Sequence, residues 1–565
     1  MKRTVDCLLV GHNTGDLTGY VDSLRQMGQD SGTYRDLNLA FIRVNNRLYD
    51  ASGVFNLFFA HGSALTAPLR YGETFSATIA YLGTYLHRRG LTFDYVMSFR
   101  EEKEALAKKL EQDNILTIAI TTTLYLSEHP VIEVMDFIKA HNQKAKIIVG
   151  GPFIATQASL LKGAGLDNLF KSIGAGFYVN SSQGEAALVE IIEALKTGRP
   201  VERIHNIYYQ KGREYLANEL VKENNRLSEN MVEWGWFADR AGEYVNTRTS
   251  ISCPFSCKFC AFPGHAGEYQ TAGVEEVEQE LNSLAKIHRV KSIHFIDDNF
   301  NVPVKRCKEL LKMMTRNRYG FKWITNIRCQ FLDREMAELL ETSGCEGVFL
   351  GLESGNRDIL ENMNKAANVE KYLEGIALLK EAGIATYGSF IAGFPGETME
   401  TAADTVRFIE TSGLDFFRVQ LWYCDKLTPI WQERQKYRIE GSGFEWAHAT
   451  MDAKKASALI EEMFLTIERA VWVPQYNFDF NNIFHLVHRG LSLDQVKRYL
   501  KVFNKAVAEK LMKSTESETS PRMIQQIKES LFHHCGDISP APAVEQGNPN
   551  HREKNTGLDF NFNLG

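Results

Sequence analysis

Short apolar runs rich in β-branched residues alternate with longer amphipathic stretches through most of the chain. VDCLLV, residues 5–10, predicts a buried strand. The following residues, up to about 74, show no clear period. From Thr74 the rhythm is plain: FSATIAYLGTYLHRRG carries apolar residues at helical spacing and stops at Gly90, which suits a C-cap. LTFDYVM predicts a strand, EEKEALAKKLEQD a helix, ILTIAITTT a strand, HPVIEVMDFIKAHN a helix and AKIIVGG a strand. Near-continuous apolar strands separated by helices predict a parallel sheet covered on both faces.

Residues 203–245 have the character of a connector, with one strand (NIYYQ), a turn at Lys211 and Gly212, and a polar stretch holding Trp234 and Trp236. From Asn246 a second series begins, in which TRTSISC, SIHFIDDN, KWITNIRC, GVFLGLE, TYGSFIAG and DFFRVQLWY predict six strands with a helix between each pair. Six parallel strands with helical crossovers predict an incomplete β/α barrel. Beyond Trp431 the strand signal fades into helical segments such as ASALIEEMFLTIERAV and LSLDQVKRYLKVFNKAVAEKLM, and the Pro-, Gly- and Asn-rich residues 537–565 are expected to be disordered. The expected organisation is therefore an α/β unit over 1–202 with an N-terminal extension, a connector over 203–245, a partial barrel over 246–435, a helical region over 436–536 and a tail.

Composition narrows the partners. At 565 residues the chain exceeds what one core organises, so several domains are expected. With 44% hydrophobic and 24% charged residues and a net charge of -6, it is an ordinary globular chain without a global attraction for nucleic acid or anionic lipid. No membrane partner is expected: the early apolar run CLLV is too short for a signal-peptide core, and no later run is long enough to span a bilayer. The nine cysteines are odd in number and mostly scattered, which predicts a reducing, cytoplasmic setting. Of the scattered ones, Cys7, Cys307, Cys329 and Cys345 are expected to be buried small hydrophobes.

Three cysteines are not scattered. CPFSCKFC brings Cys253, Cys257 and Cys260 into eight positions at the end of a predicted strand. With His265 they could supply four tetrahedral zinc ligands. Structural zinc sites usually draw two ligand pairs from separate turns, whereas three thiolates from one loop suit a cuboidal iron–sulfur cluster with one iron free of protein ligands. At the carboxyl ends of the earlier strands, the loops around residues 121–125, 150–153 and 180–185 carry small or hydroxylated residues. They leave room for a large, flat ligand, although plain turn chemistry accounts for any one of them alone.

The C-x3-C-x2-C spacing, with Phe259 before the third cysteine and a six-stranded β/α series around it, resembles the radical S-adenosylmethionine (SAM) superfamily. The resemblance implies that Cys253, Cys257 and Cys260 hold a 4Fe-4S cluster whose fourth iron chelates the amino and carboxylate groups of SAM. One-electron reduction then cleaves the sulfonium to methionine and a 5′-deoxyadenosyl radical. FIDDNF falls where the family's second strand ends, so that Asp297 or Asp298 meets the methionine amino group, or else caps the next helix. LGLESG places Glu353 and Ser354 near the ribose. GSFIAGFPGET places Gly393, Gly396 and Glu397 at the adenine.

The N-terminal unit resembles the cobalamin-binding, Rossmann-like domain that precedes the radical core in one class of these enzymes. IAYLGTYLHRRG, TIAITTTLYL, KIIVGGPF and YVNSSQGEAALVEIIEAL carry the likeness. It implies corrin contacts from Thr121, Thr122, Thr123, Tyr125, Gly150, Gly151, Ser182, Gly184 and Glu185. The Asp-x-His-x-x-Gly motif that gives a histidine to cobalt is missing, which leaves the lower ligand open, with Tyr125 or Leu126 near that face. Together the cofactors imply methylation of an unactivated carbon or a phosphinate phosphorus in a small natural-product precursor. A one-electron donor such as flavodoxin or ferredoxin is implied as well. VDCLLVGHN and MGQDSGTYRDLNLAF resemble the branch containing the phosphinothricin P-methyltransferase. Arg328 and Arg418 are the expected cationic partners of a phosphinate, unless they form structural ion pairs. Trp422, Tyr423 and Cys424, at the sixth strand's end, are expected to line the substrate cavity or fill the barrel mouth. A ring contraction or oxidative cyclisation with the same cofactors, and a zinc-stabilised binding protein, remain as alternatives. Methylthiolation is disfavoured because only Cys7 lies upstream.

Overall fold

The computed structural model describes residues 2–13, 17–59, 68–69, 73–123, 125, 127–513 and 517–531. Leu126 and residues 537–565 lie outside the described residues. Two sheets organise the chain. The first contains β1 (Thr4–His12), β2 (Phe93–Ser98), β3 (Asn114–Thr121), β4 (Lys146–Gly150), β5 (Phe177–Val179), β6 (Ile207–Lys211) and β7 (Glu214–Ala217), in the order β7-β6-β5-β4-β3-β1-β2. The strands from β2 to β5 are parallel. The hairpin of β6 and β7 adds antiparallel at the edge. Residues 207–217, part of the connector in the sequence reading, thus complete this sheet. Its strands read as unbroken apolar runs because helices cover both faces, and Leu8, Val10, Ile118, Ile120 and Val149 all lie in one such core.

The second sheet contains β8 (Tyr244–Thr247), β9 (Ser292–Phe295), β10 (Lys322–Ile327), β11 (Cys345–Glu353), β12 (Ala385–Ala392) and β13 (Phe416–Leu421), parallel and in chain order. Two short strands from elsewhere extend it: Thr74–Phe75 beside β8 and Val471–Trp472 beside β13. The first strand departs from the expectation for TRTSISC. It ends at Thr247, and Ser250–Ile251 leaves the sheet to pair antiparallel with Gln270–Thr271. The cause is a carboxylate: Asp297 takes the Thr249 N–H and the hydroxyls of Thr249 and Ser250, so these groups have no need of a neighbouring strand.

The described residues of the irregular-looking N-terminal stretch have regular structure. They form helices Leu17–Met27, Gly32–Asn38 and Ala51–Phe59 and a hairpin of Phe41–Val44 with Arg47–Asp50. These pieces meet the C-terminal helices Ala453–Thr466 and Leu493–Lys513. Arg35 pairs with Glu461 at 2.5 Å, and the buried Lys510 ammonium donates to the carbonyls of Asn38 and Phe41 at 2.7 Å each. Burial holds the Lys510 pKa well below its usual value. The local period is weak there because the partners are more than 400 residues away.

Candidate functional site

The cysteine loop springs from the barrel's carboxyl end, where the β/α architecture collects its functional loops. Its neighbours clamp it. Lys258 N–H donates to the Met363 carbonyl at 2.8 Å, Ile430 N–H to the Lys258 carbonyl at 3.0 Å, and Asn364 Nδ2 to the Ser256 carbonyl at 2.9 Å. Lys258 also pairs with Glu433 at 2.5 Å. Ser252, just before the first cysteine, sits at φ +66°, and its buried hydroxyl has no hydrogen-bond partner within the protein. Strain of this kind persists where the surroundings impose it, and it marks functional loops more often than others.

Two of the three sulfurs accept side-chain hydrogen bonds. Asn299 Nδ2 donates to Cys253 Sγ at 3.0 Å and Arg328 Nη2 to Cys257 Sγ at 3.0 Å. Burial raises the Cys253 thiol and, with the neighbouring cysteines adding, lifts Cys260 to about 12. A metal's positive charge offsets that burial and favours the thiolate form. Among the described residues no three His, Cys, Asp or Glu side chains converge to hold one metal ion. That gives no support to a zinc site built from the three cysteines and His265. A cuboidal cluster, in which each thiolate takes a separate iron, does not require such convergence. The all-sulfur donor set, the N–H donors aimed at it and the orphaned Ser252 hydroxyl beside it fit that group.

The two aspartates of FIDDNF part company. Asp297 is wholly buried and spent on Thr249 and Ser250. Asp298 is only part-buried, faces Cys253 and Cys260 closely enough to raise their thiols, and is itself pushed up to about 7 by burial and by the charge of Asp297. Glu353, at φ +68° beyond a register shift in β11, forms a buried 2.7 Å pair with Lys365. Ser354 is fully buried, and its Oγ accepts from Asn356 N–H at 3.1 Å. In the GFPGE turn, Gly393 sits at φ +86° where an added Cβ would lie 2.4 Å from Trp446, so protein packing already uses its missing side chain. Gly396 is at φ +99° against Asn362. Glu397 takes the Gly393 N–H, and burial lifts its carboxyl to about 7.

The expected substrate residues lie in different settings. Arg328 belongs to the cysteine loop: besides Cys257 it donates to the Lys365 carbonyl at 2.8 Å and lies 3.6 Å over the Phe255 ring. Arg418 pairs with Asp36 of helix Gly32–Asn38, an ion pair the sequence did not reveal, and lies 4.5 Å over the Trp472 ring, while its Nε and Nη1 make no hydrogen bond among the described residues. Trp422 is packed among Phe394, Trp446 and His448, and Cys424 is buried with its backbone paired to Gly443. Only Tyr423 is exposed. A cavity of about 640 Å³, lined by Asp415 and Lys497 among others, opens at the opposite end of β13 from the cysteine loop. Asn299 and Lys365 were missed by the sequence reading; for Asn299 the signal was its place directly after the Asp pair.

At the first sheet's carboxyl end, Thr122 joins two strand ends, its N–H and hydroxyl donating to the Gly150 carbonyl at 2.9 and 3.0 Å. Thr121 is half-buried, Thr123 and Ser182 are exposed, and Gly151 at φ +121° and Gly184 at φ +81° open helices. Tyr125 folds back onto the end of β1, stacked on His12 at 5.6 Å with its oxygen accepting from Asn13 N–H at 2.6 Å. Glu185 is buried, taking Asn225 Nδ2 at 3.2 Å, and burial raises its pKa. The two mouths abut: a Cβ on Gly267, just past the cysteine loop, would lie 3.1 Å from Ser182 Oγ.

Residues 248–409, which hold the cysteine loop and most of the barrel, match the model of the Radical SAM superfamily. Over 246 residues the chain is 31% identical to the bacteriochlorophyllide d C-12(1)-methyltransferase of Chlorobaculum tepidum, covering 42% of this chain and 53% of that protein. Over 384 residues it is 26% identical to the anaerobic magnesium-protoporphyrin IX monomethyl ester cyclase of Cereibacter sphaeroides, covering 63% and 60%. The chain thus spans between half and three fifths of these relatives' length. The structure of the radical SAM methyltransferase TsrM from Kitasatospora setae, with cobalamin and a 4Fe-4S cluster bound, is similar at a TM-score of 0.53 and 20% identity. It covers 64% of this chain and 75% of that one, and the likeness is one of fold. No helix among the described residues is long and apolar enough to cross a membrane.

Proposed function

We propose that this protein is a cobalamin-dependent radical SAM methyltransferase, acting in the cytoplasm on an unactivated carbon or a phosphinate phosphorus of a small natural-product precursor. The observation that carries the reading is the meeting of the two mouths, a three-thiol loop against a set of small-residue sheet loops, at Gly267 and Ser182. When bound, the cluster, SAM and cobalamin supply one-electron sulfonium cleavage, hydrogen abstraction and a transferable methyl group.

In this reading Cys253, Cys257 and Cys260 hold the cluster. Asp298, the less committed aspartate, receives the SAM amino group. Glu353 and the Gly393 to Glu397 turn receive the ribose and adenine. Ser354 serves only the turn, since Asn356 and Thr405 occupy its hydroxyl. Thr121, Thr123, Ser182 and the backbone at Gly150 and Gly151 meet the corrin, with Thr122 and Gly184 shaping the loops. Arg418 is the remaining cation for a phosphinate. A flavodoxin- or ferredoxin-type donor supplies the electron.

The relationship to the cyclase supports a second reading, an oxidative cyclisation or ring contraction with the same cofactors. Anaerobic purification with iron, sulfide and corrinoid assays, then incubation with reductant and labelled SAM, separates them. Methyl transfer yields S-adenosylhomocysteine with 5′-deoxyadenosine; the second reading yields 5′-deoxyadenosine alone. Zinc in place of iron would sink both.

A further inference from the structure

Arg328 is 4% exposed, and among the described residues no carboxylate pairs with it. Its guanidinium instead donates to Cys257 Sγ at 3.0 Å and to the Lys365 carbonyl at 2.8 Å, over the Phe255 ring at 3.6 Å. Its backbone N–H is fixed by Asn301 Oδ1 at 3.1 Å. A buried guanidinium stays charged, and without an anionic partner that charge is costly. Two other buried cations of the barrel each have a carboxylate, Lys365 with Glu353 and Arg418 with Asp36. The group left to neutralise Arg328 is the thiolate ligand set.

We propose that Arg328 is a redox-poising residue whose charge, delivered through the Cys257 sulfur, raises the reduction potential of the cluster and makes it accessible to its electron donor. Hydrogen bonds to the sulfurs and local net charge are among the determinants of such potentials. Reduction adds one electron to the cluster and removes one from the donor. No proton need follow, because the guanidinium is already positive on both sides of the step. Asn299, donating to Cys253 Sγ at 3.0 Å, contributes a hydrogen bond without a charge and so a smaller effect. The inference rests on the cluster part of the proposed function and not on methyl transfer.

The test is a midpoint titration, by dithionite with mediators and electron paramagnetic resonance, of anaerobically reconstituted wild type, R328Q, R328K and N299L without SAM or substrate. R328Q at wild-type iron and sulfide content is expected to disfavour reduction at least tenfold, a shift of about 59 mV to more negative potential for one electron. R328K and N299L are expected to shift less in the same direction. An iron-loaded R328Q whose midpoint stays within that tenfold overturns the proposal. If R328Q fails to hold iron, R328K decides, and an R328K midpoint displaced tenfold or more despite its retained charge overturns it. Iron loss in both variants also overturns it, in favour of a purely structural role. Wild type without iron defeats the cluster reading itself, whereas loaded wild type that forms no S-adenosylhomocysteine defeats only methyl transfer.

Discussion

The two carboxyl-terminal mouths are built on opposite plans. At the barrel, polar side chains are buried and committed to one another: Asp297 to Thr249 and Ser250, Glu353 to Lys365, Arg328 and Asn299 to sulfur. At the first sheet, the loops keep Thr123 and Ser182 exposed and rely on backbone shape at Gly151 and Gly184. A site that must hold a small, reactive group in one geometry gains from a locked frame. A site that receives a broad ligand gains from small residues and open backbone. The contrast predicts that damage at the barrel mouth appears in metal content and stability, and damage at the sheet mouth appears in ligand retention.

The largest effect is expected from the cysteines. C253A, C257A or C260A should each reduce iron to background and 5′-deoxyadenosine formation to below about a hundredth of wild type, beyond the roughly 10–100-fold typical of residues that only orient ligands. Iron at wild-type level in any of the three would break the assignment. Next comes the buried pair behind the loop. K365M strands the Glu353 carboxylate, and losing one partner of a buried pair costs about 3–5 kcal/mol. Denaturant unfolding should show that loss, and adding E353Q should restore part of it. A K365M protein as stable as wild type would mean that the barrel mouth is not locked as described.

Much of this frame was legible in the chain. The six barrel strands, the cysteine triplet and the first sheet's central strands all carry local signals: period, β-branched runs and turn residues. What was not legible depends on contacts between distant segments. The TRTSISC run looks like one strand, yet Asp297, 47 residues beyond Ser250, pulls its second half out of the sheet. Arg328 and Arg418 look alike in sequence, one per strand, and only the fold sends the first to a sulfur and the second to Asp36, 382 residues away. The N-terminal helices, likewise, face partners near the far end of the chain.

Glu280 lies where the two regions join. Its carboxylate receives Trp234 Nε1 at 3.0 Å and Val232 N–H at 3.2 Å from the connector, and the Thr247 hydroxyl from the end of β8. Burial lifts its pKa from 4.5 to about 7. An acid whose folded pKa is raised binds its proton more tightly when folded. Its stabilising contribution is therefore full below pH 4.5 and is lost as pH rises through about 7. The swing is about 3 kcal/mol at roughly 1.36 kcal/mol per pH unit. Denaturation midpoints measured from about pH 5 to 8 should fall more steeply in wild type than in E280Q. Parallel profiles would show that the joint does not titrate in this window.

The smallest effect, and the one that most sharpens the contrast, is expected from G151A. Gly151 has φ +121° and ψ -174°, a conformation that belongs almost exclusively to glycine, at a cost of about 1–3 kcal/mol for other residues. The new Cβ would also lie 2.8 Å from Thr122 Oγ1 and 3.0 Å from Thr122 N, the atoms that hold β3 to β4 at their carboxyl ends. The loop must shift, and it shifts at the surface proposed to face the corrin. The barrel's clamps are all elsewhere, on Met363, Asn364, Ile430 and Glu433. Corrinoid content should therefore drop while iron and sulfide stay at wild-type level. If iron falls in step with corrinoid, the two mouths are one cooperative unit, and the separation between a locked site and an open one is wrong.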